Sequence, residues 1–142
     1  MNYYELKITS GDNVIEIIDN KSNNLIDIVE IELDTVDNNT RTKSNAMLAR
    51  VRVVGKVSKT ISKQLQGIFE WSKDFSDNTY RKVDITIMDN SEAVLKSFSF
   101  DKMFVLDYSE EYGTSDGDQN GTFELKLSQS DRNFDSAEVF LY

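Results

Sequence analysis

The residues with the clearest potential for chemistry form an acidic, glycine-containing segment late in the chain. Oxygen side chains alternate from Asp116, and Gly121 holds the sixth position, where a calcium-binding loop turns sharply. Leu127, however, occupies the twelfth position, where such a loop needs a bidentate Glu. The pattern favours a hairpin loop over a cation site, and an incomplete site would use Asp116, Asp118, Asn120 and Glu124.

A second group of carboxylates lies just upstream, at Asp107, Glu110 and Glu111. Carboxylates in close contact can raise one another's pKa and serve as an acid and base pair. Strand alternation instead places Asp107, Ser109 and Glu111 on one face, as is typical of a solvated surface. We therefore predict no catalytic residue in this segment.

The composition excludes several classes of enzyme and of metal site. The 142 residues include no histidine, cysteine or proline. Without imidazole or thiol, the chain cannot form a Ser-His-Asp triad, a Cys-His pair, an HExxH zinc site or a disulfide. We expect a protein that is not an enzyme, with no cofactor and no metal centre.

The charge of the chain is strongly acidic and unevenly distributed. There are 25 Asp and Glu against 16 Lys and Arg, a formal charge of -9, which disfavours a grip on nucleic-acid phosphates. The basic residues concentrate in the middle of the chain, at Arg41, Lys43, Arg50, Arg52, Lys56, Lys59 and Lys63. This asymmetry is compatible with a simple solvated surface, or with the basic middle of one copy meeting the acidic surface of another.

Nothing in the sequence predicts membrane insertion or secretion. No segment approaches the roughly 18 to 20 apolar residues of a membrane span. The first residues lack the basic and apolar regions of a secretion signal. We expect a protein that is made in the cytoplasm, and export or incorporation into a secreted particle stays open.

Most of the chain alternates apolar and polar residues as half-buried strands do. The pattern is clearest around Phe123, Leu125 and Leu127, and it recurs in residues 3–8, 25–33, 47–57, 80–88, 94–108 and 136–142. Within residues 25–33 the apolar parity changes, which indicates a β-bulge or a change of face. After a break at Asp101 and Lys102, we expect Phe104, Leu106 and Tyr108 to continue the buried side.

One segment has helical periodicity instead. Between residues 60 and 75, an apolar stripe is formed by Ile61, Leu65, Ile68, Phe69 and Phe75. Trp71 lies beside the stripe, where we expect it to cover the rim of the core. Ser58 or Thr60 can cap the helix, and Gly67 is tolerable if another element packs closely there.

These elements predict a single domain over residues 1–142. Its fold class is mainly β (α+β), a small antiparallel β-barrel of two packed sheets with one α-helix. A polar connection of a dozen residues, 34–45, separates two early strands, and so long a loop usually has a function. The absence of proline suggests that the sheet closes on itself or that its edges are meant to be paired.

The order of these elements resembles the Hcp family, the tube proteins of type VI secretion systems, and more distantly phage tail-tube proteins. The resemblance is carried by Ile68-Phe69-Glu70-Trp71-Ser72 in the helix and by the strands that follow, at residues 80–87, 98–108 and 123–127. It implies six copies in a ring, rings stacked into a hollow tube, and partners among the sheath, spike or effector proteins of the apparatus.

The resemblance also implies an inter-subunit arm in the long loop, since in that family an extended loop between early strands reaches a neighbouring subunit. The matching positions are Asp34, Thr35, Val36, Arg41, Lys43, Ala46 and Leu48. The function we expect is therefore a structural, tube-forming component of a contractile injection system. The alternative is a monomeric β-barrel module that binds a small ligand or a cation.

Overall fold

The chain folds as one antiparallel sheet with one helix packed against it. The computed structural model describes residues 1–35, 47–113, 120–130 and 138–141. Its strands are β1 (Tyr3–Ser10), β2 (Asn13–Ile18), β3 (Ile26–Thr35), β4 (Met47–Lys56), β5 (Arg81–Met88), β6 (Val94–Glu111), β7 (Thr122–Gln129) and β8 (Glu138–Leu141). The helix, α1, spans Ser62–Ser72. The predicted mainly β fold with one helix is confirmed.

The strands follow a single path across the sheet, in the order β2-β1-β5-β6-β7-β4-β3, and β8 pairs separately with β6. Every described pairing is antiparallel. The described strands thus form one continuous sheet, and its two terminal strands, β2 and β3, do not pair with each other. The barrel is open at this point.

The sheet curls around a single core. β1 and β3 contact each other, although four strands lie between them in the sheet. In a flat sheet, that separation would be about 24 Å at the usual strand spacing. The sheet must therefore bend, and α1 packs against both β2 and β6 on its inner side.

Three of the four register shifts in the pairings of β3 and β6 bear on the predicted pattern of buried side chains. The predicted bulge in β3 is present, since the register with β4 shifts between Ile26 and Ile28. In β6, Lys102 adopts a positive φ of 57° and the register with β5 shifts beside it. A second shift leaves Leu106 without a partner on β7.

These bulges overturn the predicted parity of β6. Met103 is fully buried and Val105 packs against the core, whereas Leu106 is 53% exposed. Tyr108 does pack against the core, because the second bulge restores the original parity. The sequence had no proline or glycine to mark either bulge, so simple alternation failed here.

The helix is shorter than predicted, and two of its aromatic assignments were wrong. A 3₁₀ turn at Lys59–Ile61, capped by the hydroxyl of Ser58, precedes α1. Trp71 is buried in the core, whereas Phe69 is 41% exposed and Phe75 is 94% exposed. At 100° per residue, Phe69 lies about 70° from the middle of the Leu65–Ile68 stripe and Trp71 about 90° from it on the other side, so periodicity favours Phe69, although Trp71 is the buried residue.

Two contacts with polar groups hold the indole ring of Trp71 in place. Its indole Nε1 donates a hydrogen bond of 2.7 Å to the carbonyl oxygen of Thr79. The guanidinium of Arg81 lies over the indole, 5.2 Å from the ring centroid. Burial lowers the pKa of Arg81, and Asp74, at 3.9 Å, opposes that shift. The tryptophan therefore joins α1 to the start of β5.

A buried carboxylate holds the connection between β2 and β3. Asp19 is 1% exposed, and its Oδ1 accepts a hydrogen bond of 2.6 Å from the backbone N–H of Leu25. Its own N–H donates to the carbonyl of Tyr4, which attaches this connection to β1. Burial raises the pKa of Asp19, although these backbone hydrogen bonds and the charge of Lys56 act in the opposite direction.

Candidate assembly surfaces

The root of the predicted arm is a rigid part of the sheet. β3 and β4 stay paired to their ends, where Asp34 lies opposite Leu48 and Thr35 opposite Met47. The other predicted arm positions, Val36, Arg41, Lys43 and Ala46, lie outside the described residues. The structure therefore shows where the segment leaves the sheet and returns to it.

A buried amide fixes this root to the middle of β6. The side chain of Gln129 is nearly inaccessible, and its Oε1 accepts a hydrogen bond of 3.1 Å from the N–H of Ala49 on β4. Its Nε2 donates at 2.9 Å to the carbonyl of Asp101, beside the Lys102 bulge. Because the oxygen and the nitrogen of this amide are both hydrogen-bonded, the beginning of β4 is held in a fixed position relative to β6.

The outer face of β3, β4 and β7 carries alternating rows of charge. On β3, Glu30 and Glu32 lie opposite Arg52 and Arg50 of β4. Arg52 donates to Glu124 of β7 at 2.8 Å and to Glu30 at 3.1 Å. The hydrogen bond from Arg52 holds the pKa of Glu124 below its usual range, and Glu124 raises the pKa of Arg52.

Further ion pairs extend this charged face at both sides. Lys126 lies 3.7 Å from Glu124, and Lys56 lies 3.3 Å from Asp27. A shallow groove of about 450 Å³ crosses the same face and has exposed Leu106 on its wall. Since acids and bases here neutralise one another within the chain, the surface has a defined charge pattern but no concentrated charge of one sign.

Only two of the four candidate cation ligands belong to the described residues. Glu124 lies within β7 and is engaged by Arg52 and Lys126, whereas Asn120 precedes that strand. Asp116 and Asp118 lie outside the described residues. Across the part of the chain that is described, no group of three or more acidic residues is arranged to hold a metal ion.

The carboxylates of β6 occupy the solvated face expected from alternation. Asp107, Ser109 and Glu111 are all exposed. Glu110 accepts hydrogen bonds from the hydroxyls of Tyr108, at 2.8 Å, and of Tyr112. Burial raises the pKa of Tyr108, and the hydrogen bond to Glu110 raises it further. The Tyr108 hydroxyl therefore stays protonated and acts as a donor. These hydrogen bonds connect Glu110 with the tyrosines two residues before and after it, and Asp107 and Glu111 remain exposed to solvent.

The two ends of the sheet expose apolar side chains beside unpaired backbone. On β2, Val14 and Ile18 are each nearly half exposed, and on β3 Ile28 and Leu33 are about two-fifths exposed. The outer edge of each of these strands pairs with no other described strand. Unpaired backbone next to exposed apolar residues is typical of edges that another chain covers.

No protein-family model matches the sequence. No curated protein matches it either. None of the described helical segments is long and apolar enough to cross a membrane.

Solved structures with the same fold include Hcp1 proteins and a chain of an extracellular contractile injection system. Hcp1 from Salmonella typhimurium superposes with a TM-score of 0.55 at 9% identity, over 88% of this chain and 81% of that one. Hcp1 from Flavobacterium johnsoniae gives 0.53 at 13% identity, over 97% and 99%. A chain of the PVC sheath-tube complex, an extracellular contractile injection system, gives 0.56 at 11% identity, over 96% and 88%. The fold is therefore the Hcp and tail-tube fold expected from the order of elements.

Proposed function

We propose that the chain is a non-enzymatic tube component of a contractile injection apparatus, in which six copies form a ring and rings stack into a hollow tube. The observation that carries the proposal is the shared fold with Hcp1 and with the PVC sheath-tube complex over nearly the whole chain. Its partners would be further copies of itself and the sheath, spike or effector proteins of the apparatus. It would be made in the cytoplasm and leave the cell, if at all, as part of a particle.

The open ends of the sheet support assembly between copies. β2 and β3 expose unpaired backbone at opposite ends of one sheet, so contact between the β2 end of one copy and the β3 end of the next is head to tail. A head-to-tail contact generates a closed ring when its rotation divides a full turn. The exposed apolar residues Ile18 and Leu33 would then be buried at the contact.

Light scattering coupled to size exclusion, followed by negative-stain microscopy, tests the ring. We expect hexamers and ring-shaped particles from the unaltered chain, and monomers from the double variant Ile18→Lys and Leu33→Lys. The matched control is Leu95→Lys, because Leu95 is equally exposed but lies within β6, away from both open ends. A strict monomer at high concentration, without rings, would contradict the proposal.

A separate variant tests the arm. Replacement of residues 36–46 by a short Gly-Ser turn leaves the β3 and β4 pairing and the Gln129 contacts in place, so the fold should survive. We expect this variant to form rings that no longer stack. Unchanged stacking into tubes would remove the arm from the proposed assembly while leaving the ring intact.

A further inference from the structure

The edges of β6 are used unequally along its length. One edge pairs with β8 over Lys96 to Ser99 and then with β7 from Met103 onwards. The other edge pairs with β5, and that ladder ends at the pair of Arg81 and Met103. Beyond it, no described strand pairs with residues 104–111 on this side. We call residues 104–111 the open edge of β6.

An aromatic groove lies at the point where the β5 ladder stops. Tyr80 packs edge-on against Phe104, with their ring centroids 6.2 Å apart. These rings line a groove of about 370 Å³ together with Phe75 and Val105, with buried Trp71 beneath them and polar Ser72, Asp74 and Thr79 along one side. Phe75 contributes an almost fully exposed ring to its rim. An aromatic groove of this size fits one large apolar side chain.

The open edge carries net negative charge, and the one basic residue that faces it across the β6–β7 ladder is Lys126, opposite Asp107. It contains Asp107, Glu110 and Glu111 and no basic residue. Asp107 and Glu111 are exposed and form no ion pair within the described residues, in contrast to the compensated carboxylates of Glu30 and Glu124. An extended segment that pairs here would gain from basic side chains at alternate positions, because alternate residues of a strand share one face.

The other open edges of the same protein do not offer that charge. β3 presents Asp27, Glu30 and Glu32, so its approach to Asp107 and Glu111 would oppose like charges. β2 contains Glu16 and no basic residue. A second copy that presented either edge would therefore leave the acidic edge of β6 uncompensated or repelled. Neither of these two edges offers the basic side chains that would match the open edge of β6.

We infer that the open edge of β6, with its aromatic groove, binds an extended basic segment of a partner protein by strand addition. The segment runs antiparallel to β6, in line with β5, so its carboxyl end meets the groove. An apolar side chain near that end enters the groove, and Lys or Arg side chains at alternate positions lie beside Asp107 and Glu111. Backbone hydrogen bonds provide affinity, and the acids and the groove provide specificity.

A synthetic peptide of the sequence Lys-Thr-Lys-Thr-Lys-Thr-Leu-Phe is the probe, and its control has Glu in place of Lys. Hydrogen exchange of the full chain is measured with each peptide at a protein concentration where light scattering shows monomer. We expect the basic peptide to slow exchange in residues 105–111 and to bind more weakly as salt is raised. The acidic peptide should leave exchange unchanged.

Two variants separate the charge from the groove. Asp107→Asn combined with Glu111→Gln should weaken binding about fivefold, as expected for two exposed ion pairs. Phe75→Ser should also weaken it without loss of folding, because that ring is solvent-exposed in the free chain. Glu16→Gln, which removes an exposed acid on β2, is the matched control and should bind as the unaltered chain does.

Three results would overturn the inference. They are unchanged exchange in residues 105–111 with the basic peptide, equal binding of the acidic peptide, and protection of residues 105–111 without peptide that grows with protein concentration. The last result would identify a second copy as the occupant. The first two results do not bear on ring formation by the unaltered chain, and the third would support contact between copies, so failure here is distinguishable from failure of the proposed function.

Discussion

Arg52 and Glu124 are joined across β4 and β7 by a hydrogen bond of 2.8 Å, on the most highly charged face of the protein. Glu30 approaches the other side of the same guanidinium, so one arginine holds carboxylates from two neighbouring strands. The three strands β3, β4 and β7 are thus connected through side chains as well as through their ladders. This connection has a testable dependence on pH.

Arg52→Met should lower the melting temperature slightly at neutral pH, and high salt should reduce the difference. The pKa of Glu124 is depressed from 4.5 in the folded protein, mainly by the hydrogen bond from Arg52. Its contribution to stability is therefore present above that value and is lost as pH falls through the depressed pKa. Thermal melts of both proteins from pH 7 down to pH 3 should converge. A difference that is constant with pH would contradict this role.

Gly55→Ala should destabilise the protein by about 1–3 kcal/mol, because a methyl group there overfills a packed site. An added Cβ would lie 2.5 Å from the carbonyl oxygen of Leu25 and 2.7 Å from the ring of Phe123. The carbonyl cannot move freely, since it accepts a hydrogen bond from the N–H of Lys56. Urea denaturation measures the loss.

Gly67→Ala is the matched control for that substitution. Its added Cβ would lie 3.0 Å from Cδ1 of Ile15, the far end of a side chain that can shift. Alanine gains about 1 kcal/mol over glycine in a helix interior, so we expect a neutral or stabilised protein. Equal losses from both alanines would show that contact with the Leu25 carbonyl is not what makes Gly55 necessary.

Trp71→Ala and Phe69→Ala should differ sharply, although the two residues flank the apolar stripe of α1 on opposite sides. Loss of buried Trp71 leaves a cavity and removes the hydrogen bond to Thr79, for an expected cost of about 3–5 kcal/mol. Phe69 is 41% exposed, and its removal should cost about 1 kcal/mol or less. Denaturant midpoints of the two variants test this, and similar values would contradict the burial of Trp71.

Asp19→Asn should change how stability depends on pH. Burial raises the pKa of Asp19 above 3.8, so the folded state favours the protonated acid. The contribution of this group is then fully present below pH 3.8 and is lost as pH rises through the raised pKa. The variant, which does not titrate, should gain stability relative to the unaltered chain as pH rises. A fixed difference between pH 3 and pH 7 would contradict the raised pKa.

Alternation and helical periodicity predicted most of the fold from the sequence alone. They located the strands around Ile85 and Leu125, the bulge in β3 and a helix containing Leu65 and Ile68, and all of these are present. The predictions held because each pattern reports burial on one face of a single element. The common fold with Hcp1 followed from the order of those elements.

The failures lie where burial depends on contacts between elements. The bulges near Lys102 and Leu106 move Phe104 and Leu106 out of the predicted core pattern, and nothing local in the sequence marks them. Trp71 is buried because Thr79 and Arg81 complete its environment, and both come from the segment after the helix. The open edge of β6 could not be predicted from the sequence either, since it depends on where the β5 ladder ends.

The continuity of β6 determines how the protein would carry mechanical load. Its 18 residues span both halves of the sheet, with β5 on one edge of the first half and β7 on the other edge of the second. A push or pull applied to one half therefore reaches the other half through covalent bonds. Force along this strand would act on the flanking ladders in shear, which loads many hydrogen bonds at once, so the two halves should transmit thrust as one stiff body.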